Sequence, residues 1–379
     1  MQKTRSIAFL LSLACLCTIS VVARAADGPQ NFQWSGDMRY RGVQLRESTD
    51  DSRLYQQIRA RLGLKADVQD DLTAVLRLAT ATSAISNNQT LGDQTQPGMP
   101  RRSFGVDLAY GDWRYADSAK LTMGRVPNPF FQPAKTQLVF DHDLSFEGMS
   151  TTYAPKWADS SAFATLGAFV ISENYVAPRD QVDTGLIGLN LGYSFEAAGK
   201  WTVHASRFQY LNVGSQPITR FESAAGADSY SKPFDRYRGN SVFAKGTTYN
   251  FSYEFAQTEA GLEWKCKVQA LELTVYLDYI LNDFSGQQGE AYEGGVITKF
   301  GRFQALLAYA SKKSDSVIGA FTDSDFNGGG ADNRGTKISL SYALSERTAV
   351  VLTDYRATRG IDSTNRDFNA QQLDFTLQF

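Results

Sequence analysis

Polar and apolar side chains take turns along this chain in blocks of about ten residues, from near the N-terminus to the last residue. A period of two belongs to an extended strand with one oily and one wet face. The closing segment shows it plainly. Gln371, Leu373, Phe375, Leu377 and Phe379 fall on one face, and Gln372, Asp374, Thr376 and Gln378 on the other. A tilted strand of about ten residues is long enough to cross a bilayer, so the pattern points to a wall with hydrocarbon on one side and water on the other.

Segments of this kind are expected near 32–41, 57–67, 73–78, 104–110, 120–126, 146–155, 161–171, 183–195 and 200–210. The second half continues near 249–255, 271–279, 291–299, 302–311, 335–344, 347–357 and 370–379, for about 16 strands. Between 257 and 268 the alternation changes phase, which a bulge or a long turn would explain. Short links such as 69–71, 196–199, 300–301 and 345–346 alternate with long polar ones near 42–53, 83–101, 127–145, 172–182, 211–246, 282–290, 312–334 and 358–369. Short turns at one end and long loops at the other are expected of an outer-membrane barrel. No strand edge can stay unpaired in lipid, so the sheet must close. The fold class is therefore an all-β, transmembrane antiparallel β-barrel. At about 16 strands side chains cannot fill the lumen, and a water-filled tube across a membrane is a diffusion channel.

Lys3 and Arg5, the apolar run Ile7 to Val22 and the small-x-small triplet Ala23-Arg24-Ala25 read as a signal peptide at 1–25, cleaved after Ala25. Residues 26–379 then form one domain, because no linker or compositional break interrupts the repeat. Cys15 and Cys17 leave with the signal, and Cys266 alone cannot form an internal disulfide. Losing Lys3, Arg5 and Arg24 takes the basic count from 38 to 35 against 40 acids, a charge near −5. That argues against a nucleic-acid partner. No stretch after Ala25 approaches the roughly 18 apolar residues of a spanning helix.

Residues 55 to 150 carry Arg59-Ala-Arg-Leu-Gly-Leu64, Leu76-Arg-Leu-Ala-Thr80, Ser86-Asn-Asn-Gln-Thr-Leu-Gly-Asp93 and Asp107-Leu-Ala-Tyr110. They go on to Met123-Gly-Arg-Val-Pro-Asn-Pro-Phe130, Asp141-His-Asp-Leu144 and Glu147-Gly148. In kind and order these segments resemble the bacterial putative porin family, over about a quarter of the chain. Ala81 and Arg125 stand where Gly and Lys are expected, and Arg125 would alter the charge near a pore. The resemblance implies a pore-forming barrel of a Gram-negative outer membrane. Its partners would be outer-membrane lipid and small hydrophilic solutes or ions, and homotrimers would follow by likeness to 16-stranded porins.

With oily faces outward, Arg39, Arg41, Arg59, Arg61 and Arg77 project inward from three consecutive strands, with Lys65 on the same face. Strands lie about 4.8 Å apart, so these cations make one patch. Two roles stay open: screening ions, and pairing with lumenal acids such as Asp37 and Asp107; both can hold together. In the 16-stranded porins that the chain resembles, the loop between the fifth and sixth strands narrows the barrel. Here that loop is 127–145, rich in proline and phenylalanine and ending in Asp141-His142-Asp143. One reading sets Asp141, Asp143 and Glu147 across a waist from the arginines. The other leaves them on an exterior loop.

Asp141-His142-Asp143 lacks two further ligands for a metal, so neither a metal nor a cofactor is expected. No motif pairs His142 or His204 with a nucleophile, which argues against an enzyme. Phe32, Trp34, Tyr40, Tyr110, Tyr249, Tyr253 and Tyr279 read as outward interfacial aromatics, with Trp113 and Tyr276 as candidates for the lumen. Gly328-Gly329-Gly330 reads as a flexible surface loop. The leading function is a passive channel. Alternatives are an anion-selective channel using the arginine ladder, and a non-conducting barrel whose loops bind a surface partner.

Overall fold

The computed structural model describes residues 31–48, 52–80, 86–93, 98–174, 182–214, 216–218, 237–246 and 248–379. The signal-peptide segment 1–25 lies outside the described residues. Sixteen strands form the wall. The first eight are β1 (Asn31–Glu47), β2 (Arg53–Gln69), β3 (Leu72–Thr80), β4 (Phe104–Ala116), β5 (Ala119–Pro127), β6 (Ser145–Tyr153), β7 (Ser160–Ser172) and β8 (Thr184–Glu196). The rest are β9 (Lys200–Leu211), β10 (Ala256–Val268), β11 (Leu271–Asn282), β12 (Glu290–Phe300), β13 (Phe303–Lys312), β14 (Asn333–Ala343), β15 (Thr348–Arg359) and β16 (Arg366–Gln378).

Each strand pairs antiparallel with the next, and β16 returns to β1, so the barrel is closed. At the seam Gly36 N–H donates to the Phe379 carbonyl (2.9 Å) and Phe379 N–H to the Gly36 carbonyl (3.0 Å). The Phe379 ring covers Gly36 so closely that a Cβ there would lie 2.4 Å from its Cζ. Short turns such as Gln69 to Leu72 and Phe300 to Phe303 occupy one end, where Gly301 supplies a positive φ. Long connections occupy the other end.

The two faces differ as the alternation requires. Trp34, Leu340, Leu373 and Phe375 stand exposed on the outer face, while Arg41, Asn190, Glu259, Asp278 and Asp374 are buried on the inner one. Near the turn end the outer face carries Phe32, Trp113, Tyr153, Trp201, Trp264, Phe303 and Phe379. Trp201 stacks on Trp264 (5.7 Å between centroids) and Phe303 meets Tyr342 (4.7 Å) across neighbouring strands.

In two places the wall departs from the alternation read in the sequence. The tenth strand is 256–268; Tyr249 and Phe251 instead belong to a hairpin, 242–245 with 248–251. The true strand was hidden because its outer row begins with Thr258 and Ala260, too small to give an oily signal. In β4 the ladder passes from Arg77 opposite Leu108 to Leu78 opposite Val106, so Asp107 is a bulge. That extra residue inverts the phase: Leu108 and Tyr110 turn inward, and Tyr110 packs on the lumenal core. Trp113 is consequently on the outer row, opposite Leu72 and Leu121, whereas Tyr276 is lumenal and donates to Glu293 (3.0 Å).

Candidate constriction site inside the barrel

The arginines lie where strand parity sends them. Arg39 stands opposite Arg59 and Asp37 opposite Arg61 on β1 and β2, and Arg77 follows on β3 opposite Gly63. Like charges directly across a sheet repel, and carboxylates are threaded between them. Asp37 takes Arg59 (2.9 Å) and Arg61 (2.6 Å), and Asp107 takes Arg77 (2.6 Å). Asp374 on β16 accepts both Nε (2.6 Å) and Nη2 (2.8 Å) of Arg41, a bidentate pair. Arg39 lies 3.9 Å from Asp374 and donates to the Asn88 side chain.

The connection between β5 and β6 packs on lumenal side chains. Phe130 nests among Phe140, Phe146, Phe169 and Phe208, with Leu138, Val139 and Leu186 in the same core. Polar bonds carry the loop across to β8, β10 and β11. Phe131 N–H donates to Asn190 (3.0 Å), Ala134 N–H to Glu263 (2.6 Å), and the Thr136 hydroxyl to Asp278 (2.7 Å). Left-handed backbone at Ala134 and Lys135 (φ 49° and 60°) turns the chain back. Asp143 then reaches the arginines, 3.8 Å from Arg59 and 3.6 Å from Arg61.

A second loop joins it. Residues 313–332 carry Val317, Ile318, Phe326 and Ala331, all buried. Asp141 N–H donates to the Phe321 carbonyl (2.7 Å) and Asp323 N–H to the Gln137 carbonyl (3.1 Å), locking the two loops together. Asp325 completes the ladder by accepting from Arg41 Nη1 (2.6 Å). Gly328-Gly329-Gly330 is packed, not an open surface segment: all three adopt φ near 75°, and a Cβ at Gly328 would lie 2.8 Å from the Phe368 ring.

The electrostatics of the loops follow from burial. Asp141 is 5% exposed and accepts from the Ser324 (3.1 Å) and Asp143 (2.8 Å) amides. Burial, then the Asp323 charge, lifts its carboxyl to about 7. Burial also holds His142 below the usual imidazole range. Burial raises Asp325 too, but the charges of Arg41 and Arg39 outweigh it and bring that carboxyl down to about 2.

The expected residues thus divide. Arg39, Arg41, Arg59, Arg61, Arg77, Asp107 and Asp143 come together on the lumenal side. Asp141 is their neighbour in sequence only, since it faces the 313–332 loop. Arg125 and Glu147 are corrections. They pair with each other opposite Ala109 and Val170, on the outer row, because Val126 and Phe146 take the inner positions in the loop's core. Sequence reasoning missed Asn88 and Asp325, which complete the coordination of Arg39 and Arg41. Only the arginines' unmet need for acceptors pointed to them.

A closed sixteen-stranded antiparallel barrel, apolar outside and crossed inside by a loop after β5, defines a protein of the porin fold class. Solved structures sharing it include Salmonella typhi OmpF in complex with daunomycin, at 14% identity over 92% of this chain and 97% of that one, with a TM-score of 0.53. Pseudomonas putida OprB at high pH shares 10% identity over 92% and 94%, with a TM-score of 0.57. Such identities carry the fold alone. The chain belongs to the putative porin family, whose model matches residues 18–283 and 286–379. No curated protein matches it in sequence.

Proposed function

We propose that the mature chain, released from its 1–25 leader, is an outer-membrane porin of a Gram-negative bacterium, passing small hydrophilic solutes and ions by passive diffusion. The observation that carries the reading is the pairing of an apolar outer surface, belted by aromatics at the turn end, with an inner surface of arginines and aspartates. Hydrocarbon outside and water inside is the environment that stabilises both. The outer face turns polar toward the loop end, at Gln44, Arg46, Asp354 and Arg356, where a wall would leave the hydrocarbon.

The charged patch supports weak ion discrimination in preference to a strong anion ladder. Five arginines (39, 41, 59, 61 and 77) meet five aspartates (37, 107, 143, 325 and 374), so little net field is left to bind anions. The loop 127–145 serves as the constriction, with Asp143 against Arg59 and Arg61 at its edge, and homotrimers are the assembly that the porin fold suggests. Refolded protein in planar bilayers should give discrete conductance steps with a small reversal potential in a salt gradient. Proteoliposomes should swell in small sugars. Silent bilayers and unswollen liposomes would favour a plugged, surface-binding barrel and would sink the channel reading.

A further inference from the structure

We propose that His204, Glu259 and Asp278 form a buried site for one divalent transition-metal cation of the zinc type, set in the wall beneath the 128–144 loop. The three residues project inward from the consecutive strands β9, β10 and β11. His204, Gly261 and Asp278 lie in one row across the sheet, and Glu259 sits two residues along from Gly261 on the same face. One donor atom from each residue lies within 4.8 Å of the others. His204 Nδ1 is 3.8 Å from Glu259 Oε2, and Nε2 is 3.8 Å from Asp278 Oδ1.

Those contacts are too long for hydrogen bonds, and neither imidazole nitrogen has another partner, nor has Asp278 Oδ1. The side chains are only 0%, 2% and 1% exposed, out of contact with bulk solvent. Unmatched buried polar atoms are costly. The charge balance points the same way. Among the described residues no lysine or arginine makes an ion pair with Glu259 or Asp278, and buried carboxylates are stable when paired or bound to a metal.

A dication would take one imidazole lone pair and an oxygen from each carboxylate, supplying the missing positive charge and partners for one ring nitrogen and for Asp278 Oδ1. Thr136 donates to Asp278 Oδ2 and leaves Oδ1 facing the imidazole, while Ser206 donates to Glu259 Oε2, the oxygen nearest Nδ1, and so fixes that carboxylate in place. A tetrahedral zinc with ligands at about 2.0–2.2 Å sets its donors about 3.3 Å apart, closer than the 4.8 Å within which the three donor atoms lie, so the side chains would close in around the ion. One nitrogen with two oxygens suits zinc or manganese better than calcium or magnesium, which favour all-oxygen shells. Gly261 keeps the space clear, since a Cβ there would fall 2.3 Å from His204 Nε2. Because Thr136 belongs to the 128–144 loop, the ion would also brace that loop against β11.

The test does not depend on conduction. Protein refolded in detergent with Zn²⁺, then gel-filtered against metal-free buffer, should retain one zinc per chain by mass spectrometry. His204→Gln and Asp278→Asn should lose it, and His142→Gln should keep it. X-ray absorption of the wild-type zinc should show nitrogen and oxygen neighbours and no sulfur, a readout that survives if a variant fails to fold. Folded wild-type protein that retains no zinc would overturn the site. So would equal retention by a folded His204→Gln variant, or a shell containing sulfur, which would mark adventitious binding.

Discussion

Phe130 is the side chain on which the docking of the β5–β6 loop most depends. Its ring lies 5.0 Å from that of Phe208 and 6.1 Å from that of Phe169, centre to centre, with Phe140 and Phe146 each at 6.3 Å. Behind it, Gly167 and Gly188 face each other on β7 and β8 and leave a hollow in the wall. A Cβ at Gly188 would fall 2.3 Å from Phe130 Cζ. Truncating a buried phenylalanine to alanine costs about 3–5 kcal/mol. At about 1.4 kcal/mol per tenfold, detachment of the loop is favoured by roughly two to three and a half orders of magnitude. The bonds to Glu263 and Asp278 remain, so the loop should detach transiently while the barrel stays closed. In planar bilayers Phe130→Ala should therefore conduct with larger or noisier steps than wild type, and Gly188→Val should do the same from the wall side. If both variants fold, judged by heat-dependent mobility in SDS gels, yet give wild-type amplitude and noise, this knob does not hold the loop.

Arg41 is 5% exposed and bridges Asp374 and Asp325, so Arg41→Ala strands two carboxylates; a loss of about 3–5 kcal/mol is expected in urea unfolding, partly restored by adding Asp374→Asn. The raised Asp141 carboxyl keeps a proton in the folded protein that the unfolded chain releases above its usual 3.8. That stabilisation is complete below about pH 4 and is lost as pH rises through about 7. The melting temperature should accordingly fall between about pH 4 and pH 7, and Asp141→Asn should flatten the slope. Asp325 acts with the opposite sign: its contribution holds above 3.8 and disappears as pH drops toward 2. Asp143→Asn should move the reversal potential toward anion preference, because Arg59 and Arg61 lose a shared acid; an unmoved potential would take Asp143 out of the ion path. Gly36→Val sets a branched side chain against the Phe379 ring and should lower the yield of closed barrel, scored by the same gel shift.

How much of this was legible beforehand depended on whether one strand could report it alone. Leu373 to Phe379 declared their face unaided, and so did Arg59 and Arg61, because large apolar and charged groups mark parity clearly. Asp107 could not declare its bulge, since a phase inversion is visible only against the partner residues Leu78 and Arg77. Charge alone assigns Arg125 and Glu147 to the lumen, yet Val126 and Phe146 occupy the inner row. The burial of Phe326 and the glycine run after it depended on Phe368 and Tyr276, distant in sequence, and no local period carries that information.

The inner wall is itself divided, and the division bears on how the lumen works. The rule of polar inside and apolar outside holds around β1–β3, where arginines and aspartates line the wall, and fails at the loop-side ends of β5–β9, where Val126, Phe146, Phe169, Leu186 and Phe208 point inward. Two inner surfaces of opposite character face one another, and the loop matches both. Its phenylalanines bind the apolar half, and Asp143 meets the charged half. Apolar packing is insensitive to salt, whereas the partly exposed contacts of Asp143 at 3.6 and 3.8 Å are screened by it. Raising ionic strength should thus loosen the arginine side of the constriction while leaving the loop docked. Conductance would then rise with salt somewhat faster than bulk conductivity in wild type but only in proportion to it in Asp143→Asn, and identical scaling in the two proteins would refute this division of roles.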